Sequence, residues 1–156
     1  MSKSIKRVQA AAEAAELSIE IKRMGESTRT AEEAARQCGC TVAQIVKSLI
    51  FQGEESDKLY LFLVSGDRQL DIAKASALVG DALKRADPRH IRDVTGFAIG
   101  GVSPLGQPDD VARYGDQRLL DFEIVWAAAG AHDAVFSAEP ERLFKAAGVE
   151  KADIST

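Results

Sequence analysis

Lys47 is the first residue whose type and setting invite chemistry. In "QIVKSLIFQ", strand alternation places it on the same face as Ile45, Leu49 and Phe51. Burying an unpaired ammonium is expensive, so a lysine in that company needs a partner, an escape to solvent or a task. Either its aliphatic stem packs while the amine reaches water at a sheet edge, or it lines a cleft and meets an anionic or carbonyl group of a ligand.

The second feature is "TGFAIGGVSPLG", Thr95 to Gly106, with four glycines and one proline in twelve residues. Gly100 and Gly101 carry no Cβ, so their N–H groups can approach a ligand closely. Ser103 adds a hydroxyl, and Pro104 stiffens the exit. Backbone donors of this kind hold a carbonyl oxygen and hold it harder as it becomes an anion. The plainer reading is a surface turn. The third feature is "AAAGAHDAVF", where Gly130 and His132 follow a strand and precede Asp133. His132 either sits solvated in its loop or orients a ligand or a water molecule.

Several chemistries lack their signatures. There is no G-x-G-x-x-G, no phosphate-loop lysine, no G-x-S-x-G elbow and no H-E-x-x-H, and the only histidines are His90 and His132. We therefore expect neither a metal nor a cofactor. Cys38 and Cys40, in "CGC", are too close for an easy disulfide and too few to hold zinc alone.

The elements that must position these residues are legible in outline. "SIKRVQAAAEAAEL" repeats apolar residues at helical spacing, and "SIEIKRM" alternates as a strand. In "STRTAEEAARQCGC", Thr30 is the expected N-cap and Gly39 the stop of a helix. "QIVKSLIFQ" and "KLYLFLVSG" flank the polar "GEESD" and predict an antiparallel hairpin, apolar on both faces and so central in a covered sheet. Asp71 should cap a helix that ends near Gly80, and Pro88 should open another. "RLLDFEIVWAAAG" and "DAVFSA" read as strands, and "EPERLFKAAG" as the last helix. Without regular βαβ alternation, the expectation is one α+β domain over residues 1–156, with a mixed, strongly curved, barrel-like sheet and helices around it.

The chain has 156 residues, 46% of them hydrophobic and 28% charged, which suits one globular core. A net charge of −4 argues against a uniformly cationic nucleic-acid coat but leaves room for a local patch. Lys3, Lys6, Arg7, Lys22, Arg23 and Arg29 bias the first thirty residues towards basic. No apolar run suits a bilayer or a secretory leader, so a cytoplasmic protein with no membrane partner is expected.

Taken in order, "TAEEAARQCGCTVAQIVKSLIF", "LVSGDRQLDIAKASALVG", "TGFAIGGVSPLG" and "AAGAHDAVFSAEPERL" resemble the YbaK-like aminoacyl-tRNA deacylases, relatives of the editing domain inserted in bacterial prolyl-tRNA synthetases. The resemblance implies hydrolysis, in trans, of the ester joining a wrong amino acid to the 3′ end of a tRNA. It implies aminoacyl-tRNA as partner, an aminoacyl-tRNA synthetase as a second candidate partner, and no cofactor. On it, Lys47 falls on the active-site lysine, and Gly100, Gly101, Ser103 and Pro104 fall on the substrate loop. Gly130 and His132 are similar to the G-x-H element of the synthetase-inserted domains. "GAHD" departs from the G-x-R-G of the cysteinyl-tRNA deacylases, which turns the expected substrate towards alanine or another small residue, with the proline tRNA as carrier. The resemblance leaves Lys47 as an ammonium donor or as a base. A non-catalytic module binding an aminoacyl, nucleotide or protein ligand on the same fold is the alternative.

Overall fold

The computed structural model describes residues 2–156 except Ser27 and Arg29, so the basic assignment of Arg29 lies outside the described residues. Helix α1 spans Lys3–Ala14 and starts where the Ser2 hydroxyl accepts from the Ile5 N–H. The short strand β1 (Lys22–Arg23) is all that forms from the alternating "SIEIKRM". Helix α2 (Ala31–Cys38) begins with the Thr30 hydroxyl accepting from the Glu33 N–H at 3.1 Å, and it ends on Gly39 at φ 70°. That cap and that stop are the ones the sequence predicts.

The hairpin forms as expected. Strand β2 (Val46–Gly53) pairs antiparallel with β3 (Leu59–Ser65), Lys47 opposite Val64 and Leu49 opposite Phe62. Helix α3 (Ile72–Val79) is capped by Asp71 and stopped by Gly80. Helix α4 (Pro88–Thr95) carries Pro88 in its first turn, where a missing N–H does no harm. Strands β6 (Val125–Ala128) and β7 (Ala134–Ala138) and helix α5 (Pro140–Ala147) complete the predicted elements.

Three strands escape the sequence reading: β4 (Leu83–Arg85), β5 (Ala112–Asp116) and β8 (Glu150–Ala152). Each is five residues or shorter and partly exposed, so none shows a long apolar alternation. Residues 118–121, read as the start of a strand, lie instead in a 3₁₀ turn, Gln117–Asp121, capped by the Asp116 carboxylate.

The main sheet runs β4-β2-β3-β5-β8, and a second runs β1-β7-β6. Pairing is antiparallel along β4-β2-β3 and parallel along β3-β5-β8, which confirms the mixed α+β class. The sheet is not a closed barrel, and the barrel-like expectation is corrected on this point. Among the described residues, β4 pairs only with Phe51–Gly53 of β2, and a single bridge from Ile45 to Trp126 joins the two sheets. The edge strands β4 and β8 do not pair with each other among the described residues, so the sheet stays open.

Strands β2 and β3 are central and covered on both faces. Leu59, Leu61 and Leu63 pack with Ile5, Val8, Phe97 and Phe136 on one side. Tyr60, Phe62 and Val64 pack with Leu49, Phe51, Ala75 and Ile154 on the other. Each fully buried side chain of this size contributes about 1.5–3 kcal/mol. That core fixes β2, and β2 fixes Lys47.

Candidate active site

The part of β2 left uncovered by β4 forms one wall of a cleft of about 590 Å³. Lys47, Ser48, Glu32, Gly66, Arg85 and Gly100 are among the residues that line it. The lysine therefore takes the cleft position of its two sequence readings. Its Nζ donates to the main-chain carbonyl of Arg68, in the turn that follows β3. Burial lowers its pKa from the ordinary value, while the nearby Glu32 and Asp67 carboxylates act to raise it. An ammonium has three donors, and the Arg68 carbonyl uses one.

That turn is itself braced. The Asp67 carboxylate pairs with Arg118 at 2.6 Å and accepts from the Ser65 hydroxyl at 2.9 Å. Partial desolvation acts against the Asp67 charge, but the bonds from Arg118 and Ser65 win and lower its pKa. Loop geometry and lysine position are thus one connected arrangement.

The Gly-rich segment is anchored at its start. The Thr95 hydroxyl donates to Ile91 O at 2.7 Å and accepts from the Phe97 N–H at 3.1 Å. Arg7 of α1 donates to Thr95 O at 2.7 Å and lies 4.1 Å from the Phe97 ring centroid. Gly96 ends α4 at φ 79°, a left-handed conformation that favours glycine, and a Cβ there would also press on Arg7, 2.2 Å from Nη1. Gly100, at φ 90°, reaches the cleft. Gly101 does not line it. Its N–H is bonded to Ala98 O at 3.0 Å, and a Cβ there would sit 2.9 Å from Ala131 N.

Ser103 and Pro104 are buried rather than cleft-lining. The Ser103 hydroxyl accepts from the Leu105 N–H at 3.2 Å, and its carbonyl accepts from Gln107 at 2.8 Å, so both ends of the residue hold the loop. Gly130, at φ 99°, packs against the Ser4 backbone. His132 is exposed, and its carbonyl accepts from the N–H of Thr28 at 2.8 Å and from the Thr28 hydroxyl at 2.6 Å. Thr28 lines the cleft, so the 130–132 segment supports the cleft through that residue. Of the predicted residues, the structure brings Lys47 and Gly100 together and sets Gly101, Ser103, Pro104 and Gly130 behind them.

Glu32, Ser48 and Arg85 are cleft residues that the sequence did not single out as such. Glu32 reads as an ordinary first-turn acid of α2, and Arg85 sits in the unrecognised β4. The two cysteines have a different character. Burial, then the proximity of Cys40, pushes the Cys38 thiol up to about 11, and burial raises Cys40 as well. Neither is an activated nucleophile.

The aminoacyl-tRNA editing domain matches residues 25–146, most of the chain. The chain belongs to that family. A crystal structure of a candidate trans-editing enzyme for prolyl-tRNA synthetase superposes with a TM-score of 0.91 at 45% identity, covering 100% of this chain and 99% of that one. The protein YwhH of Bacillus subtilis is 33% identical over 117 residues, 75% of this chain and 74% of its own length. A proline–tRNA ligase of Thermosipho melanesiensis is 41% identical over 81 residues, 51% of this chain but 14% of the ligase. The editing domain is thus found both inside a large synthetase and as a chain of this size. Among the described residues, no helix is long and apolar enough to cross a membrane.

Proposed function

We propose that this editing-domain protein is a trans-acting deacylase that hydrolyses the ester of mischarged aminoacyl-tRNA, with a small amino acid such as alanine on the proline tRNA as substrate. The observation that carries the reading is that Lys47 and Gly100 line one cleft, in a chain of this family.

An aminoacyl ester is already activated, so holding its carbonyl and delivering water is enough. Water attacks the carbonyl carbon, the bond to the ribose oxygen breaks, and the water's proton ends on that oxygen. A neighbouring ribose hydroxyl relays the proton. Lys47, as an ammonium, and the N–H of Gly100 stabilise the oxyanion, each such donor being worth about 10²–10³ in rate. Fixing the geometry adds more. His132 and Gly130 act through Thr28 on the size of the amino acid admitted. A second, smaller pocket has a purpose because a synthetic site rejects a residue lacking one methylene by only ~1–3 kcal/mol.

The test is a deacylation panel of tRNAs charged with Ala, Ser, Cys and Thr, run with the intact protein and with Lys47→Ala. The expected result is turnover of one small aminoacyl-tRNA and a loss of about 10²-fold or more in Lys47→Ala. Failure to exceed spontaneous hydrolysis with every charged tRNA would sink the deacylase reading and leave the binding module. Unchanged turnover in Lys47→Ala would sink the role of the lysine alone.

A further inference from the structure

Strand β2 has a gap in its pairing. The Gly53 N–H donates to Lys58 O at 2.9 Å, and the Gly66 N–H donates to Ile45 O at 2.8 Å, at opposite ends of the hairpin. By antiparallel geometry the odd-numbered residues of β2 therefore turn their main-chain groups towards β3. Even-numbered residues turn theirs the other way. On that side β4 begins to pair at Phe51, and the Trp126 bridge sits at Ile45. Between them lie Val46, Ser48 and Ile50, and Ser48, the middle one, lines the cleft with no ladder partner on that side among the described residues. Ser48 is half-buried, yet its hydroxyl oxygen is enclosed without a partner. What it shows to solvent is therefore its carbon and main-chain atoms.

We propose that this gap is the subsite for the α-amino ester itself, which pairs with Ser48 as one more strand residue would. The ligand's ammonium donates to Ser48 C=O, and Ser48 N–H donates to the ligand's ester carbonyl. This rests on the deacylase reading and names how its substrate is held. Three features select such a ligand. The opening runs only from Val46 to Ile50, closed at one end by the Trp126 bridge and at the other by β4, so a ligand that pairs with Ser48 at its centre has to be short. Its donor and acceptor match the carbonyl and amine of a single amino acid. The Glu32 carboxylate lines the same cleft and attracts a cationic group there. A bond from an ammonium to a carbonyl is charge-assisted and stronger than a neutral one.

Main-chain groups cannot be deleted by side-chain replacement, so the substrate is altered instead. Alanyl-tRNA and N-acetylalanyl-tRNA are compared with the full chain, each rate divided by that ester's own spontaneous hydrolysis. The expected result is that acetylation removes about tenfold to a hundredfold of the acceleration. Equal acceleration of both overturns the proposal while the deacylase reading stands. Acceleration of neither counts against deacylation, and the second measurement then decides the subsite. In it, the isotope-labelled chain is titrated with 3′-alanylamino-3′-deoxyadenosine and its N-acetyl form. Expected are a shifted Ser48 amide proton and exchange slowed about tenfold or more with the free amine only. An unmoved Ser48 amide, whether the analogue shifts other cleft amides or fails to bind at millimolar concentration, overturns the proposal.

Discussion

Lys47 Nζ donates to the main-chain carbonyl of Arg68, twenty-one residues downstream, so the side chain that lines the cleft is steered by the turn after β3. That turn is held in its own right by the Asp67–Arg118 pair. The amine is thus positioned by backbone as well as by its strand, which is the kind of preorganisation that the proposed stabilisation of an oxyanion requires.

The state of that amine has a pH signature. Burial lowers the pKa of Lys47 from 10.5, against the opposing pull of Glu32 and Asp67. If the ammonium is the working form, acceleration over spontaneous hydrolysis falls as pH rises through the lowered pKa, and the decline begins below 10.5. A base role has the opposite slope. For stability the sign also follows. The unfolded chain binds more protons between the lowered value and 10.5, so folding stability rises with pH in that window. A pH–rate profile beside a pH–melting series measures both.

Gly101→Ala should separate loop support from cleft chemistry. The new methyl would sit 2.9 Å from Ala131 N and 3.0 Å from Gly130 C, both backbone atoms that cannot rotate aside. We expect a loss of about 1–3 kcal/mol, read as a melting shift of roughly 2–12 °C. Gly100, next to it, is displaced with the loop, so kcat should fall further than the melting shift alone explains.

Arg85 is an exposed cation on the cleft wall, and Lys84 beside it is exposed as well. If they meet the phosphates of the acceptor end, Arg85→Ala should weaken tRNA binding and reduce the slope of log affinity against log salt by about 1. The affinity for a free aminoacyl-adenosine should change little. Binding measured across a salt series decides this, and an unchanged slope would remove Arg85 from the interface.

The cysteines give the sharpest contrast with a thiol mechanism. With the Cys38 thiol at about 11 and Cys40 also raised, little thiolate exists near neutral pH. The Cys38→Ser, Cys40→Ser double variant should turn over within about twofold of the parent, and alkylation should be slow. A collapse in rate with an intact fold would restore a cysteine to the reaction.

The sequence exposed the parts of this molecule that rest on local rules. Thr30, Asp71 and Pro88 announce helix starts, and Gly39 and Gly80 announce stops, because caps are set by neighbouring residues. Lys47 was conspicuous because β2 is long and apolar enough to make one cation an exception. What stayed hidden depends on distant partners. Strands β5 and β8 are defined by parallel pairing with residues far away in the chain, and no adjacent turn betrays them. Ser103 and Pro104 look like a loop tip, yet Phe97 and Leu105 draw their segment into the core. Nothing local marks the exposed Glu32 as lining the same cleft as Lys47.

The parallel pairing of β3 with β5 has a temporal consequence. Parallel neighbours cannot be joined by a tight hairpin, so the chain travels from Ser65 to Ala112 before β5 docks, and α3, β4, α4 and the Gly-rich segment all lie along that detour. During synthesis the β2–β3 hairpin emerges well before β5, as an apolar two-stranded ribbon without that neighbour. Arg85, Ile91 and Gly100 lie on that excursion and Ala128 beyond it, so the hollow beside Lys47 cannot be complete until most of the chain has been made.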